Sequence, residues 1–592
     1  MLAVAQVDVL TQHNDLFRSG ANSRETMLTT DGLLSGRFGK LAMRPVDGNI
    51  YAQPLVVAGL RIAGRPTPHN AVIVATEHNS VWAFDADDTQ PDSASALLWH
   101  TGPDVIGSSV PSDVLSASIA GGPGRCVDLT PEIGITSTPA IALDAARPRG
   151  GVVFVVAKTL RRKDDYEYAL WALDLADGRP VGPPTPIAGA VPGTGKGASG
   201  SGRDRRILFD ARIHLNRPGL ALHERTLYVA FGSHCDRGNY HGWLFAYDVS
   251  AASAPRLIDV WASTPKGKGR LGGAGGIWMS GQAPAIDRDG SVFLSTGDGS
   301  YDGVTEFGNS VIRLRLDDGR FRVLDWFTPD HHARLNADDV DLGSSGVLLV
   351  PDAPLALTAG KEGRMYLLDR ASMGKGRAPP LQSIQVTNPP FPSDRPRSYW
   401  NLHGTPVVWR RSDRADQADI YIWGEEDRLK QYRLARVAPE EGGGWRLGPP
   451  VAMSQESAPY PDHPTGRFNE VRRGQNAVWM PGAFLSLSSD GDRDGTAILW
   501  AALPIDADAN HRSVRGRLRA YDARNVSRLL WDSEDDPDDG PGLFAKFCPP
   551  TIANGKVYLA TFGEEETRTR ADQPHRMKPG GQSPALVIYG LH

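Results

Sequence analysis

The chain is poor in cysteine. Only Cys126, Cys235 and Cys548 occur in 592 residues, none of them as a CxxC pair or as neighbours. That spacing excludes a zinc ribbon, a thioredoxin-like redox pair and a CxxCH haem attachment. Long apolar runs are also missing: nothing approaches the roughly 20 residues that a membrane-spanning helix needs. Basic charge is not in excess, with Lys+Arg 64 against Asp+Glu 69 and a net charge of −5. With no Lys/Arg stripe either, no nucleic-acid surface is expected. No G-x-S-x-G elbow, P-loop or G-x-G-x-x-G before a helix occurs, which sets aside serine hydrolases, kinases and Rossmann enzymes. The segment "GTGKGASGSGRDRR" near position 193 imitates a phosphate loop but lacks its spacing and following helix, so it is read as a flexible surface insertion.

What the chain has in quantity is turn chemistry and aromatic residues. Its 65 Gly and 45 Pro are scattered throughout, alongside 14 Trp, 15 Tyr and 17 Phe. Short strands between turns fit this better than a disordered tail. One unit recurs eight times. Its clearest copy, "NAVIVATEHNSVWAFDADD" followed by "ALLWH", has a β-branched run, a polar loop, alternating aromatics and a closing apolar strand. Ahead of most copies stands a short Pro- or Gly-containing strand such as "YAQPLVV", "TSTPAIA" or "HGTPVVW". Trp99, Trp261, Trp326 and Trp531 fall at the ends of fourth strands, where they are expected to pack blade on blade. Four antiparallel strands cannot bury both faces alone, but arranged radially they do.

The eighth unit stops at "ALVIYGLH", its third strand. The segment Phe38–Val46, "FGKLAMRPV", is a strand without a unit of its own. Pairing the two closes the ring and removes both open edges. The fold expected is therefore all-β: an eight-bladed propeller of four-stranded blades over 38–592, closed by an N-terminal strand, with residues 1–37 as an arm over one face.

Units of the form VYxAT…LYALD…LW resemble the repeats of pyrroloquinoline-quinone (PQQ) propellers. The stretches "HNDLFRSGAN", "VDGNIYAQPL", "PEIGITSTPAI", "SHCDRGNYHGW", "DVDLGSSGVLL" and "AGKEGRMYLLDR" are similar to a secreted PQQ-binding-like group. The resemblance implies a quinoprotein-type fold and, by kinship, an oxidoreductase; fold alone does not dictate function. This chain departs from quinoprotein alcohol dehydrogenases in lacking their two adjacent cysteines. No motif places their calcium-binding Glu, Asn and Asp here. The cofactor is left open between PQQ with calcium and a transition metal.

In such a ring, two sets of loops converge on one mouth of the central channel, where function is expected. Glu132 is the first candidate for a general base, with Lys158, Arg217 or Lys361 stabilising negative charge and Asp298 and His403 as further catalytic groups. The bland alternative pairs Glu132 with Lys158 or Arg217 in a salt bridge. Glu77, Trp278, Gln282, Asp341 and Lys546 are candidates for holding a cofactor. "GSHCDRGNYHGW" offers His234, Asp236 and His241 as metal ligands. In "DWFTPDHHARLNADDVDLGSSG" a short helix is expected, with Asn336 to Asp339 near its start. Cys126 and Cys235, both in polar Gly-rich loops, are the expected disulfide; three reduced thiols are the alternative. Ala3-Val4-Ala5 has the small-x-small form of a signal-peptidase site, so a periplasmic or secreted protein is expected. The functional reading is an exported oxidoreductase acting on a small polar molecule, monomeric, without nucleic acid or membrane span. The competing readings are a non-redox lyase, cyclase or hydrolase on the same fold, and a non-catalytic binding propeller.

Overall fold

The computed structural model describes residues 6–592 except 92, 120–125, 127, 145, 148, 163, 268–272, 388–400, 426, 439–442, 458–480, 506–508, 510–512 and 568–572. Ala3-Val4-Ala5 lies outside the described residues. Eight four-stranded antiparallel sheets follow one another in chain order. The first blade shows the plan: inner strand Leu55–Leu60, central strands His69–Ala75 and Val81–Asp85, outer strand Leu97–Thr101. The other inner strands are Ala140–Leu143, Ala221–His223, Ala285–Ile286, Val347–Leu349, Val407–Arg410, Phe484–Ser488 and Thr551–Ala553. Central strands are apolar on both faces because each blade is sandwiched between two others. Gly151–Leu160 ("GVVFVVAKTL") is buried at every position but the last, as a continuous β-branched run between turns predicts. The cores accordingly sit between blades: Leu357 and Leu367 of the fifth meet Val408 and Ile420 of the sixth. Outer-strand Trp99 donates its indole N–H to Leu175 O of the next blade, 2.8 Å away.

The ring closes as its pattern requires. Phe38–Pro45 pairs antiparallel with Ala585–Leu591, from Phe38 opposite Leu591 to Pro45 opposite Ala585. The Phe38 ring packs 5.3 Å from Trp500 and 5.0 Å from Trp531, tying the closing strand to the seventh blade.

The arm does more than cover a face; it winds around the axis. Val9 exchanges backbone hydrogen bonds with Val56 of the first blade (2.8 and 2.9 Å), and Leu10 O accepts from Ile141 N of the second (3.0 Å). Leu16, Phe17, Ser19 and Gly20 then accept from Ile286, Leu349, Val408 and Leu487 of the fourth to seventh (2.7–2.9 Å). Asn22 Nδ2 donates to Ile552 O of the eighth at 3.0 Å. At the centre of this turn, Arg18 is fully buried and donates to Pro284 O, Thr11 Oγ1, Gln12 O and Asp15 O. One end of the channel is thereby plugged, and the residues preceding the inner strands surround the other.

Two local expectations need correction. The helix runs His332–Asp338, so Asn336 to Asp339 stand at its end rather than its start, and Asp339 terminates it in the left-handed region at φ 58°. Pro329, whose carbonyl accepts from His332 N, sets the earlier beginning. The glycine-rich insertion is also more than a loose loop. Ala190–Pro192 and Arg206–Leu208 pair as a hairpin that walls a cleft of about 800 Å3 beside the second blade.

Candidate active site at the open channel mouth

The sector built from blades three to five is acidic. Asp341, just before an inner strand, accepts Asp298 N on Oδ1 (2.8 Å) and meets Lys361 Nζ with Oδ2 (2.5 Å). Oxygens of Asp298, Asp339 and Asp341 lie within 4.8 Å of one another. Burial, then the charge of Asp341, pushes the Asp298 carboxyl up to about 9, although Asn309 Nδ2 donates to it. The same two causes, in the same order, raise Asp236 to about 7, where it accepts from the Tyr240 hydroxyl at 2.9 Å. Burial pulls the Lys361 ammonium down, but Asp341 and Asp339 outweigh it and hold the lysine charged. Lys361 thus meets Asp341 and Asp339, and the oxygens gathered beside it include one of Asp298.

Trp278 borders this sector. Its N–H donates to Ser233 O (3.0 Å), and its ring rests against glycines. A Cβ added at Gly232, Gly276 or Gly297 would come within 2.4–2.6 Å of the indole. The indole is nevertheless partly exposed, so it offers a stacking platform at the mouth. Backbone strain gathers nearby: Cys235, Asp236, Met279 and Ser280 have φ of 52°, 54°, 47° and 44°. Gln282, by contrast, is structural on its donor side, giving Nε2 to Val347 O at 2.8 Å while its buried Oε1 lacks a partner.

Across the mouth lies a basic and aromatic sector. The Arg217 guanidinium stacks over Phe547, 3.8 Å from the ring centroid. Lys546 Nζ donates to Asp128 O at 2.7 Å. His403 stands 5.8 Å from Phe547 with its Nδ1 buried and unpartnered. Burial, and then the charges of Lys361, Arg217 and Lys546, keep that imidazole neutral. Glu77 is fully buried; Gly134 N (2.6 Å) and the Thr136 hydroxyl (3.1 Å) donate to one oxygen, and burial raises its carboxyl to about 8.

Several candidates do not converge on the mouth as expected. Glu132 pairs with neither Lys158 nor Arg217. It accepts from His78 Nδ1 (2.9 and 3.0 Å) and from the Ser109 hydroxyl. Lys158 is buried, donating to Arg212 O (3.3 Å), His214 O (3.2 Å) and His234 Nε2 (2.8 Å). Burial holds both the Lys158 ammonium and the His234 imidazole far below their ordinary values. The metal reading of His234, Asp236 and His241 fails on geometry. His234 turns to Lys158, Asp236 to Tyr240, and His241 is held between Thr264 Oγ1 and Lys196 O, both at 3.0 Å. The left-handed backbone at Cys235 and Asp236 sends neighbouring side chains apart. Cys126 and Cys235 are bonded to each other, as expected, which also removes their sulfurs as ligands.

The sequence reading missed Phe547, Tyr51 and Tyr240, and placed Asp339 in the short helix rather than at the site. Phe547 and Tyr51 precede inner strands, so the positional rule that selected Arg217 could have found them.

No protein-family model matches the chain, and no curated protein sequence matches it. Among solved structures it is similar to the quinohemoprotein alcohol dehydrogenase ADHIIG from Pseudomonas putida HK5. That likeness has a TM-score of 0.54 at 14% identity, covering 99% of this chain and 80% of that one. It is also similar to the quinohemoprotein alcohol dehydrogenase from Comamonas testosteroni, with a TM-score of 0.52 at 13% identity, covering 100% and 81%. What is shared at such identities is the propeller fold alone.

Proposed function

We propose that the chain is an oxidoreductase of the quinoprotein kind, acting on a small polar molecule at the open channel mouth. The observation that carries this reading is the group of Asp298, Asp339 and Asp341, with oxygens within 4.8 Å, beside the partly exposed Trp278. Its donor set fits PQQ with a divalent cation. The three aspartates would hold a hard cation, Trp278 would take the planar ring on its face, and Arg217 and Lys546 would face carboxylates. When bound, the quinone would supply the two-electron acceptor. The protein's own part is acid–base: Asp236, with its carboxyl raised to about 7, is suited to take the proton of a substrate hydroxyl. Lys361, 2.5 Å from Asp341 Oδ2, holds that carboxylate in place.

The Cys126–Cys235 disulfide supports an oxidising compartment, periplasmic or extracellular. The ring is closed by its own N-terminal strand rather than by a second copy, and we read the protein as a monomer. The test is to incubate purified protein with PQQ and calcium, remove the excess by gel filtration, and measure the absorbance spectrum and dye-linked oxidation of small alcohols. Retained quinone absorbance and dye reduction are expected, both lost in Asp341→Asn. Protein that retains no quinone and reduces no dye overturns the reading.

A further inference from the structure

The basic sector has a feature that neither the fold nor the acidic group requires. Arg217 has no hydrogen-bond or ion-pair partner among the described residues. Tyr51, Asp128 and Glu77 act on its charge from a distance, and none pairs with it. A guanidinium carries five N–H donors in one plane, and Arg217, half-buried, keeps them open to a ligand. Stacking on Phe547 occupies the face of that plane and leaves its edge free, the orientation in which a guanidinium grips a carboxylate with two bonds. Phe547 takes part at a conformational cost: its φ of 67° lies in the left-handed region, which a bulky side chain rarely adopts. Strain of this kind, at the residue that supports the arginine, marks a place held for a ligand. His403 beside it is neutral, with a buried Nδ1 lacking a partner, and the Lys546 ammonium adds a second positive charge.

We infer that Arg217, on its Phe547 support, is a carboxylate clamp, and that the channel mouth takes a small organic anion through it. The clamp rests on the proposed function only in the direction of the ligand's other end, toward Asp298 and Asp236. Binding of the carboxylate itself can be read without turnover.

The carboxylate could belong to a substrate or to PQQ, and the experiment separates them. Lactate and its uncharged analogue lactamide are titrated calorimetrically, and PQQ in a separate series, against wild type, Arg217→Lys and Arg217→Met. If a substrate is clamped, wild type binds lactate at least about tenfold more tightly than lactamide, a factor of ten corresponding to about 1.4 kcal/mol. That ratio shrinks severalfold in Arg217→Lys, which keeps the charge but loses the fork, and falls to about one in Arg217→Met. If the quinone is clamped, PQQ affinity follows the same order and lactate does not bind. Should Arg217→Met fail to fold, wild-type protein still decides: lactate or PQQ, but not lactamide, must protect Arg217 from butanedione modification, read by peptide mass spectrometry. Equal affinities across the three proteins, or modification of Arg217 unaffected by either anion, overturns the inference. These readouts do not involve dye reduction, so failure of the redox reading leaves them standing.

Discussion

Glu77→Gln should change how stability depends on pH rather than stability alone. Burial raises the Glu77 carboxyl from 4.5 to about 8, against donation from Gly134 N and Thr136 that favours the ionised form. In the unfolded chain it ionises near its ordinary value. Between those two pH values the folded protein retains a proton that the unfolded chain has released, so stability falls as pH rises and then levels off above about 8. Each pH unit of that window is worth roughly 1.4 kcal/mol, which gives a total of about 4–5 kcal/mol. Glutamine can accept from Gly134 N and Thr136 but cannot ionise. Any packing penalty of its amide, set against the position where Glu77 Oε1 lacks a partner, is the same at every pH. Denaturant unfolding of both proteins at pH 5 and pH 8.5 separates the terms. The stability of Glu77→Gln relative to wild type should rise by several kcal/mol between the two. A difference that stays constant with pH would mean Glu77 is ionised in the folded protein, and the account of its burial would be wrong.

Three further outcomes follow from the ring and its plug. Arg18→Met leaves the carbonyls of Pro284, Gln12 and Asp15 without their donor, and should cost about 3–5 kcal/mol in chemical denaturation; an unchanged midpoint would show that the arm is dispensable. Phe38→Ala removes the ring packed on Trp500 and Trp531 and should cost a similar ~3–5 kcal/mol, seen as a lowered Tm. Replacing Cys126 and Cys235 together by Ser opens a link across 109 residues and should lower stability by about 4–5 kcal/mol on loop entropy alone. The same loss should appear when wild type is melted in reductant, and identical melting curves with and without reductant would refute it.

The ring was legible in the sequence because its cause is local and repeated. Each unit carries a β-branched run and a polar loop, and Trp99, Trp261, Trp326 and Trp531 mark the outer strands of four of them. The unpaired run Ala585–Leu591 found its partner at Phe38–Pro45 by elimination. The mouth was legible only as a set of positions. Asp341, Arg217 and Trp278 precede inner strands, and Asp298 and Lys361 lie in loops between central strands, so position alone groups them. What each side chain touches was not legible, since that depends on contacts between blades far apart in the chain. Lys158 and His234 were assigned separate roles, yet they bond to each other. Glu132 was matched with distant cations while His78 stood closer. The course of the arm was hidden for a related reason: its bonds to seven blades are mostly backbone bonds, which no side-chain pattern announces.

The two ends of the channel divide the work of the fold. At the plugged end the arm adds backbone bonds to inner strands around the ring, and Arg18 satisfies carbonyls that would otherwise be buried without donors. At the open end, non-glycine residues in the left-handed region cluster at 235, 236, 279, 280 and 547, each costing of the order of 1–3 kcal/mol. Such residues persist only where the surrounding frame over-determines them, and the plug provides that frame from beneath. The same logic explains why Glu77, Asp298 and Asp236 can be kept at raised values. Burial of unpaired carboxyl groups is unfavourable, and a ring locked by its own N-terminus can sustain several at one mouth. Loosening the arm should therefore disturb the mouth before the blades separate. Arg18→Met at a temperature well below its melting point should already alter the emission contributed by Trp278, read as the difference from a Trp278→Phe variant in each background, whereas an unaltered difference spectrum would show that the two ends are independent.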